Sequence, residues 1–300
     1  MFFIGFSLAL VAFIVSYILF SPSVSLAKIL GAIDIPNERK LHSHPMARLG
    51  GLTFFVSFFL SFALLPIDVK FKIAILVSGT SIFLVGLFDD ATNISPFAKL
   101  LGQALSSILY IFILLPKPQS IGDTFFALIA LGWMIFITNA INLCDGLDAL
   151  ASGITSSQSL CISVIALISG HFDVFATSLL LLFSILGFLP RNFPPAKTFM
   201  GDCGSLFLGF ILSAISIKLI FESNSIIILL SLLMIFRLPS ADAIQSFLRR
   251  AIRGKNPFSA DKGHFHHKLL DFGFTKECAS LALISLSLLF GLVGVIISVI

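Results

Sequence analysis

Read as apolar and polar positions, the chain is a series of ten apolar runs separated by polar breaks. The runs cover about residues 2–20, 50–66, 72–88, 97–116, 124–140, 149–169, 174–190, 203–220, 225–240 and 278–297. Apolar stretches of roughly 18 or more residues match the hydrocarbon thickness of a bilayer when helical. A helix satisfies its own backbone N–H and C=O groups, which lipid cannot do. The pattern therefore predicts an all-α polytopic membrane protein with about ten transmembrane helices, organised as one domain over residues 1–300. The first run, Phe2 to Phe20, has no basic start and is too long for a signal core. It is read as the first span.

The breaks alternate in character. Four are short: PIDVKF, PKPQSIGD, SGHFD and FESNS. The other five are 21–49, DDATNISPFAK, NLCDGLD, RNFPPAKTFMGDCG and 241–277, and they carry nearly all the polar residues. With ten spans, alternation puts all five on one face. Of the 19 Lys and Arg residues, 15 fall on that face, and only Lys70, Lys72, Lys117 and Lys218 on the other. The positive-inside tendency then makes the polar face cytoplasmic and puts both termini outside.

Composition agrees. The chain is 57% hydrophobic and 11% charged, against about 25% charged in soluble domains, so nothing is left over for a soluble module. A net charge of +4 gives no reason to expect a nucleic-acid partner. The four cysteines form no CxxC pair, which argues against a zinc site or a disulfide framework. The 34 phenylalanines read as lipid-facing bulk and helix packing.

Chemistry concentrates in the five polar breaks. NERKLHSHPMARLGG brings Arg39, Lys40, His42, His44 and Arg48 to a helix start. Such cations suit phosphate groups, or else only anchor the polar face. Asp89 and Asp90 end the third run; adjacent like charges at a membrane boundary suggest a metal or a proton-transfer task, or else form a merely solvated helix-end pair. In TNAINLCDGLDALASG, Asn139, Asn142, Asp145 and Asp148 recur every three residues. On a helix, neighbours at that interval converge, and their oxygen ligands suit Mg²⁺ or Mn²⁺ better than zinc. Asp202, between Gly201 and Gly204, is either an ordinary helix cap worth about 1 kcal/mol or a metal ligand. Finally, His264, His266 and His267 lie in the most basic break, which favours holding an anion over a second cation. Carboxylates and amides among Arg, Lys and His are what phosphoryl transfer at a membrane surface requires.

The order RKxHxxPxxRxGG, DD, NxxNxxDGLDxLA, PPAKxFMGDxGSLFLG and PFxxDxxHxHHxLxxxG, over about residues 30–275, resembles the polyprenyl-phosphate N-acetylhexosamine-1-phosphate transferases. That family is related to phospho-MurNAc-pentapeptide transferase. The resemblance implies transfer of N-acetylhexosamine-1-phosphate from a UDP-sugar to undecaprenyl phosphate, with Mg²⁺ and release of UMP, in a bacterial plasma (inner) membrane. It implies that Asn142 and Asp202 approach the metal and that Asp148 contacts uracil with help from Asn192 and Phe199. Asp89 and Asp90 would activate or orient the lipid phosphate, and His264 to His267 would attend the diphosphate. Asp145 joins this catalytic set, and Lys40, His42 and Arg48 the substrate-binding one. Partners are thus the UDP-sugar, undecaprenyl phosphate and membrane lipid, with a homodimer left open. Cys144 and Cys203 stand where relatives often have Thr, and Ala149 where a Gly is common. The RKLHSHPMARLGG and HFHH forms favour GlcNAc as the sugar, with deoxy-amino sugars, GalNAc or MurNAc-pentapeptide as alternatives. An ion-coupled transporter is the rival class, but it would place carboxylates at mid-span.

Overall fold

The computed structural model describes residues 2–36, 44–254 and 263–300. All ten apolar runs are helical within it. In chain order the long helices are α1 (Phe2–Ile18), α2 (Phe20–Ile29), α3 (Gly51–Ala63), α4 (Val69–Thr92), α5 (Pro96–Leu114), α6 (Ile121–Cys144), α7 (Leu150–Ile168), α8 (Phe172–Asn192), α9 (Gly201–Ser223), α10 (Ile226–Ile235), α11 (Arg237–Ile252) and α13 (Lys276–Ile297), with the short α12 (Phe265–Asp271) before the last. A two-stranded antiparallel ribbon, β1 (Ile33–Asp34) and β2 (Met46–Ala47), pairs Ile33 with Ala47.

Among the described residues, seven helices are long and apolar enough to cross a membrane, and nine if each bent pair counts as one. The bent pairs are α1 with α2, at 47°, and α10 with α11, at 68°. The remaining run is α3, whose 13 residues extend about 20 Å at 1.5 Å per residue. The second run is therefore shorter than a full span as a helix, and the ninth is broken. The ninth breaks for a readable reason: Pro239 has no N–H to offer the Ile235 carbonyl four residues back. Gln158 of α7 fills the gap, its Nε2 donating to Ile235 O at 3.2 Å. Replacing Gln158 with Leu leaves that buried acceptor bare, which costs about 1–3 kcal/mol. A correspondingly lower melting temperature in detergent is the expected result; an unchanged one would contradict this account of the bend.

Helix α9 is the axis of the bundle, with 89% of its apolar window buried against 28% for α5 and for α13. It packs on α3, α4, α6 and α7. At one end of it lies Asp202; at the other, Lys218 pairs with Glu222 at 2.6 Å and Asp173 at 4.0 Å and sits over the Phe71 ring. His171 approaches Glu222 there at 3.4 Å. The short breaks before α4, α8 and α10 thus gather at the end of the bundle opposite Asp202. Phe2, at the start of α1, stacks edge-on against Phe172 and Phe175 at this same end.

Candidate active site

The last turn of α4 delivers Asp89 and Asp90, both buried, to the first turn of α9. Asp90 accepts hydrogen bonds from the backbone N–H groups of Asp202, through Oδ1, and Cys203, through Oδ2, each at 2.9 Å. It thereby satisfies two donors that a helix start leaves without intrahelical partners and adds a favourable charge at the positive end of α9. Gly201 makes this approach feasible: its φ is +73°, and an added Cβ would meet the Arg48 carbonyl and the Asp90 carboxylate. The segment before it is bonded to the first polar break. Gly50 and Gly51 donate backbone N–H to the Phe199 and Met200 carbonyls at 2.9 Å, and Phe199 N–H donates to Ala47 O.

Asp202 is the second residue of α9, and its own side chain does not cap the helix start; Met200 holds the cap position and makes no side-chain cap bond. The carboxylate instead accepts from Asn142 Nδ2 at 2.5 Å, and that amide also reaches Ser205 Oγ at 2.8 Å. Lys99, in the first turn of α5, pairs with both Asp89 and Asp202, the latter at 3.2 Å. It did not stand out in the sequence, where it counted only toward the charge bias. The available signal was a lone Lys shortly after the DD pair, beyond a Ser-Pro helix start that folds the chain back. Asn139 stands apart from the other members of its series. It exchanges hydrogen bonds with Gln103 of α5, at 3.2 and 2.5 Å, one turn deeper than Asn142.

Beside Asp202 opens a cavity of about 580 Å³. Asp34, His44 and Arg48 line it from the first polar break, Asn142, Asp145 and Asp148 from the third, Asn192, Phe199 and Asp202 from the fourth, and His267 and Lys276 from the fifth. Arg48 Nε lies 3.8 Å from both Asp34 and Asp90, so one cation faces two carboxylates. Asp148 accepts the Ala196 N–H at 3.0 Å. Asn192 knits the wall: its Oδ1 accepts from Ala149 N–H and Ser152 Oγ, and its Nδ2 donates to Thr198 O. The three histidines separate. His267 lines the cavity, whereas His264 and His266 are buried behind it. Burial, with His267 and His264 alongside, pushes His266 down to about 4. Lys40 and His42 lie outside the described residues.

Burial, then the Asp202 and Asp90 carboxylates, push Asp145 up to about 8. The sign of the pH effect follows. An unfolded aspartate ionises near 3.8, so across about pH 4–8 the folded chain keeps a proton that the unfolded chain has lost. The stability this group contributes is whole below pH 4 and is lost as pH rises through 8. In metal-free detergent, the melting temperature of the wild type should fall relative to Asp145→Asn between pH 5.5 and pH 8.5. A pH-independent difference would contradict the assignment.

Among the described residues, no group of three or more His, Cys, Asp or Glu is arranged to hold a metal ion. The cavity wall does offer the Asp202 carboxylate beside the Asn142 amide. That donor set fits Mg²⁺, which binds through one or two carboxylates and takes its remaining ligands from water and substrate phosphates.

Residues 72–220 match the model of glycosyl transferase family 4. The chain is 34% identical to the probable undecaprenyl-phosphate N-acetylglucosaminyl 1-phosphate transferase of Bacillus subtilis, over 96% of this chain and 84% of that one. It is 33% identical to the undecaprenyl-phosphate alpha-N-acetylglucosaminyl 1-phosphate transferase of Thermotoga maritima, over 94% and 87%. It is 35% identical to the phospho-N-acetylmuramoyl-pentapeptide-transferase of Limosilactobacillus fermentum, over 48% of this chain and 50% of that one.

Proposed function

This chain belongs to glycosyl transferase family 4, and from that premise we propose that it transfers GlcNAc-1-phosphate from UDP-GlcNAc to undecaprenyl phosphate, releasing UMP. The observation that carries the reading is the convergence of Asp202, Asn142, Asp145, Asp148 and Arg48 on one cavity beside the Lys99–Asp89 pair. GlcNAc is favoured over MurNAc-pentapeptide because the N-acetylglucosaminyl relatives match nearly the whole chain and the pentapeptide relative about half.

In the proposed reaction, an oxygen of the lipid phosphate attacks the sugar-bearing phosphorus of the donor. The bond to the bridging oxygen breaks, and UMP leaves with that oxygen. A phosphate monoester dianion needs little activation, so the protein mainly positions reactants and neutralises charge. Asn142 and Asp202 would hold Mg²⁺, or Mn²⁺ in its place, which when bound offsets the diphosphate charge. Lys99 supplies a fixed cation beside Asp89, where the lipid phosphate would meet the donor. Asp148 and Phe199 bound the part of the cavity suited to the uracil, and Arg48 and His267 the part suited to phosphate. A covalent route through an aspartate is disfavoured, because both Asp90 oxygens are engaged at the α9 start and Asp89 is tied to Lys99. Isotope exchange between labelled UMP and UDP-GlcNAc tests the choice in purified, delipidated protein. The expected result is no exchange until undecaprenyl phosphate or its product is restored; robust exchange without lipid would overturn direct attack.

In this reading the polar end faces the cytoplasm, both termini lie outside, and α3 completes ten passages of a bacterial plasma membrane. Cys278, the exposed one of the four cysteines, follows the fifth polar break. In sealed cells an impermeant thiol reagent should miss Cys278 and label Ser120→Cys. Labelling of Cys278 from outside would overturn the orientation.

A further inference from the structure

One face of α11 is turned to the segment that starts at Gly263. Asp242, Gln245 and Arg249 follow one another at helical spacing along it. Asp242 meets His264 Nδ1 at 2.8 Å and accepts the Phe265 N–H at 2.8 Å. Gln245 Oε1 accepts from Lys268 Nζ at 2.8 Å, and the Arg249 guanidinium covers Gly263. Asp242 and His264 are both buried. A carboxylate removed from water needs partners for its oxygens, and this one finds them in two consecutive residues, 22 and 23 positions away.

The pairing has a consequence for the ring. A carboxylate accepts, so the proton of the shared hydrogen bond sits on His264 Nδ1, and of the two neutral tautomers the pairing selects Nδ1–H. His264 lies parallel to His266, centroids 5.7 Å apart, and His266 is tilted against His267 at 4.3 Å. The His266 ring is pressed on Gly146, where any Cβ would overlap it. Gly146 belongs to the turn that carries Asp145 and Asp148, and His267 lines the cavity. A contact line therefore runs from Asp242 through two buried rings to both walls of the cavity.

We propose that Asp242 is a positioning residue for transfer: holding His264 Nδ1–H and Phe265 N–H together, it seats the histidine segment so that His267 faces the cavity and His266 backs the Asp145–Asp148 turn. The inference rests on the transfer reading above. It differs from a purely structural anchor in acting through one ring and one tautomer.

The test uses the full chain in detergent. Asp242→Asn keeps the side chain's size and, through its carbonyl oxygen, the bond to Phe265, but its amide donates to Nδ1 and selects the opposite tautomer. The expected transfer rate is about 10–100-fold lower, the usual loss when a ligand-orienting partner is removed, with UDP-GlcNAc binding stoichiometry little changed. His264→Gln should cost a similar factor, and the double variant should be about as slow as the slower single one, because the two residues act as a unit. Partial loss of folding would instead multiply with the second substitution. In ¹⁵N-histidine spectra, the His264 signal, assigned by its disappearance in His264→Gln, should report Nδ1–H in the wild type and move in Asp242→Asn. Wild-type rates in Asp242→Asn, multiplying losses, or an Nε2–H wild-type ring would each overturn the proposal. A wild-type protein that transfers nothing counts against the transfer reading instead, and the tautomer result still decides the role of Asp242.

Discussion

Asp202→Asn is expected to lower transfer by about 10³-fold or more while leaving the protein folded. The factor corresponds to about 4 kcal/mol of lost charge stabilisation. The backbone N–H of residue 202 still donates to Asp90, so the start of α9 keeps its anchor. The amide carbonyl can still accept from Asn142. What disappears is the negative charge that faces Lys99 at 3.2 Å and that, in the proposed metal role, would offset a dication. Because the Asp202 side chain caps no helix, a cap role predicts no such loss. Elution as a monodisperse peak with near-normal turnover at low millimolar Mg²⁺ would overturn the proposed metal role of Asp202.

Lys99→Met is expected to be nearly as severe for a different reason. Without the ammonium, Asp89 and Asp202 face each other across the site with no cation between them. Breaking such a partly buried cluster by removing one partner costs about 3–5 kcal/mol of stability, and the lipid phosphate would lose its fixed counter-charge. The double variant Lys99→Met with Asp89→Asn separates the two effects. Balancing the charge should restore most of the melting temperature, yet transfer should stay down by about 100-fold or more, as after loss of one preorganised electrostatic group. Recovery of transfer together with stability would reduce Lys99 to a structural counter-ion.

The helices were legible because lipid enforces long apolar runs, and ten such runs put the five polar breaks at one end of the bundle. Asp145, Asp148 and Asp202 could be grouped by alternation alone. Contacts made between distant segments were not legible. Asp90 caps a helix through the N–H of Asp202, 112 residues later, so two adjacent aspartates that look equivalent in sequence turn out to have different partners. Lys99 was hidden among charges that topology already explained, and Asp242 lay at the start of the fifth polar break, just past Arg237 and Pro239, where it reads as the fringe of a span. Asn139 matched the three-residue interval but turned to Gln103, because three residues on a helix rotate the side chain by about 60° short of a full circle. The bend at Pro239 was marked by the proline itself, and what stabilises it, Gln158, comes from another helix.

The central claim is that the sugar moves together with its phosphate. Purified protein given undecaprenyl phosphate, Mg²⁺ and UDP-GlcNAc labelled with ³H in the sugar and ³²P at the sugar-bearing phosphorus tests it in one extraction. The account predicts that both labels enter the butanol-soluble lipid in equal proportion, with UMP as the released nucleotide. Recovery of ³H in lipid with ³²P left in water as UDP would mean that only the sugar is transferred, and would contradict it.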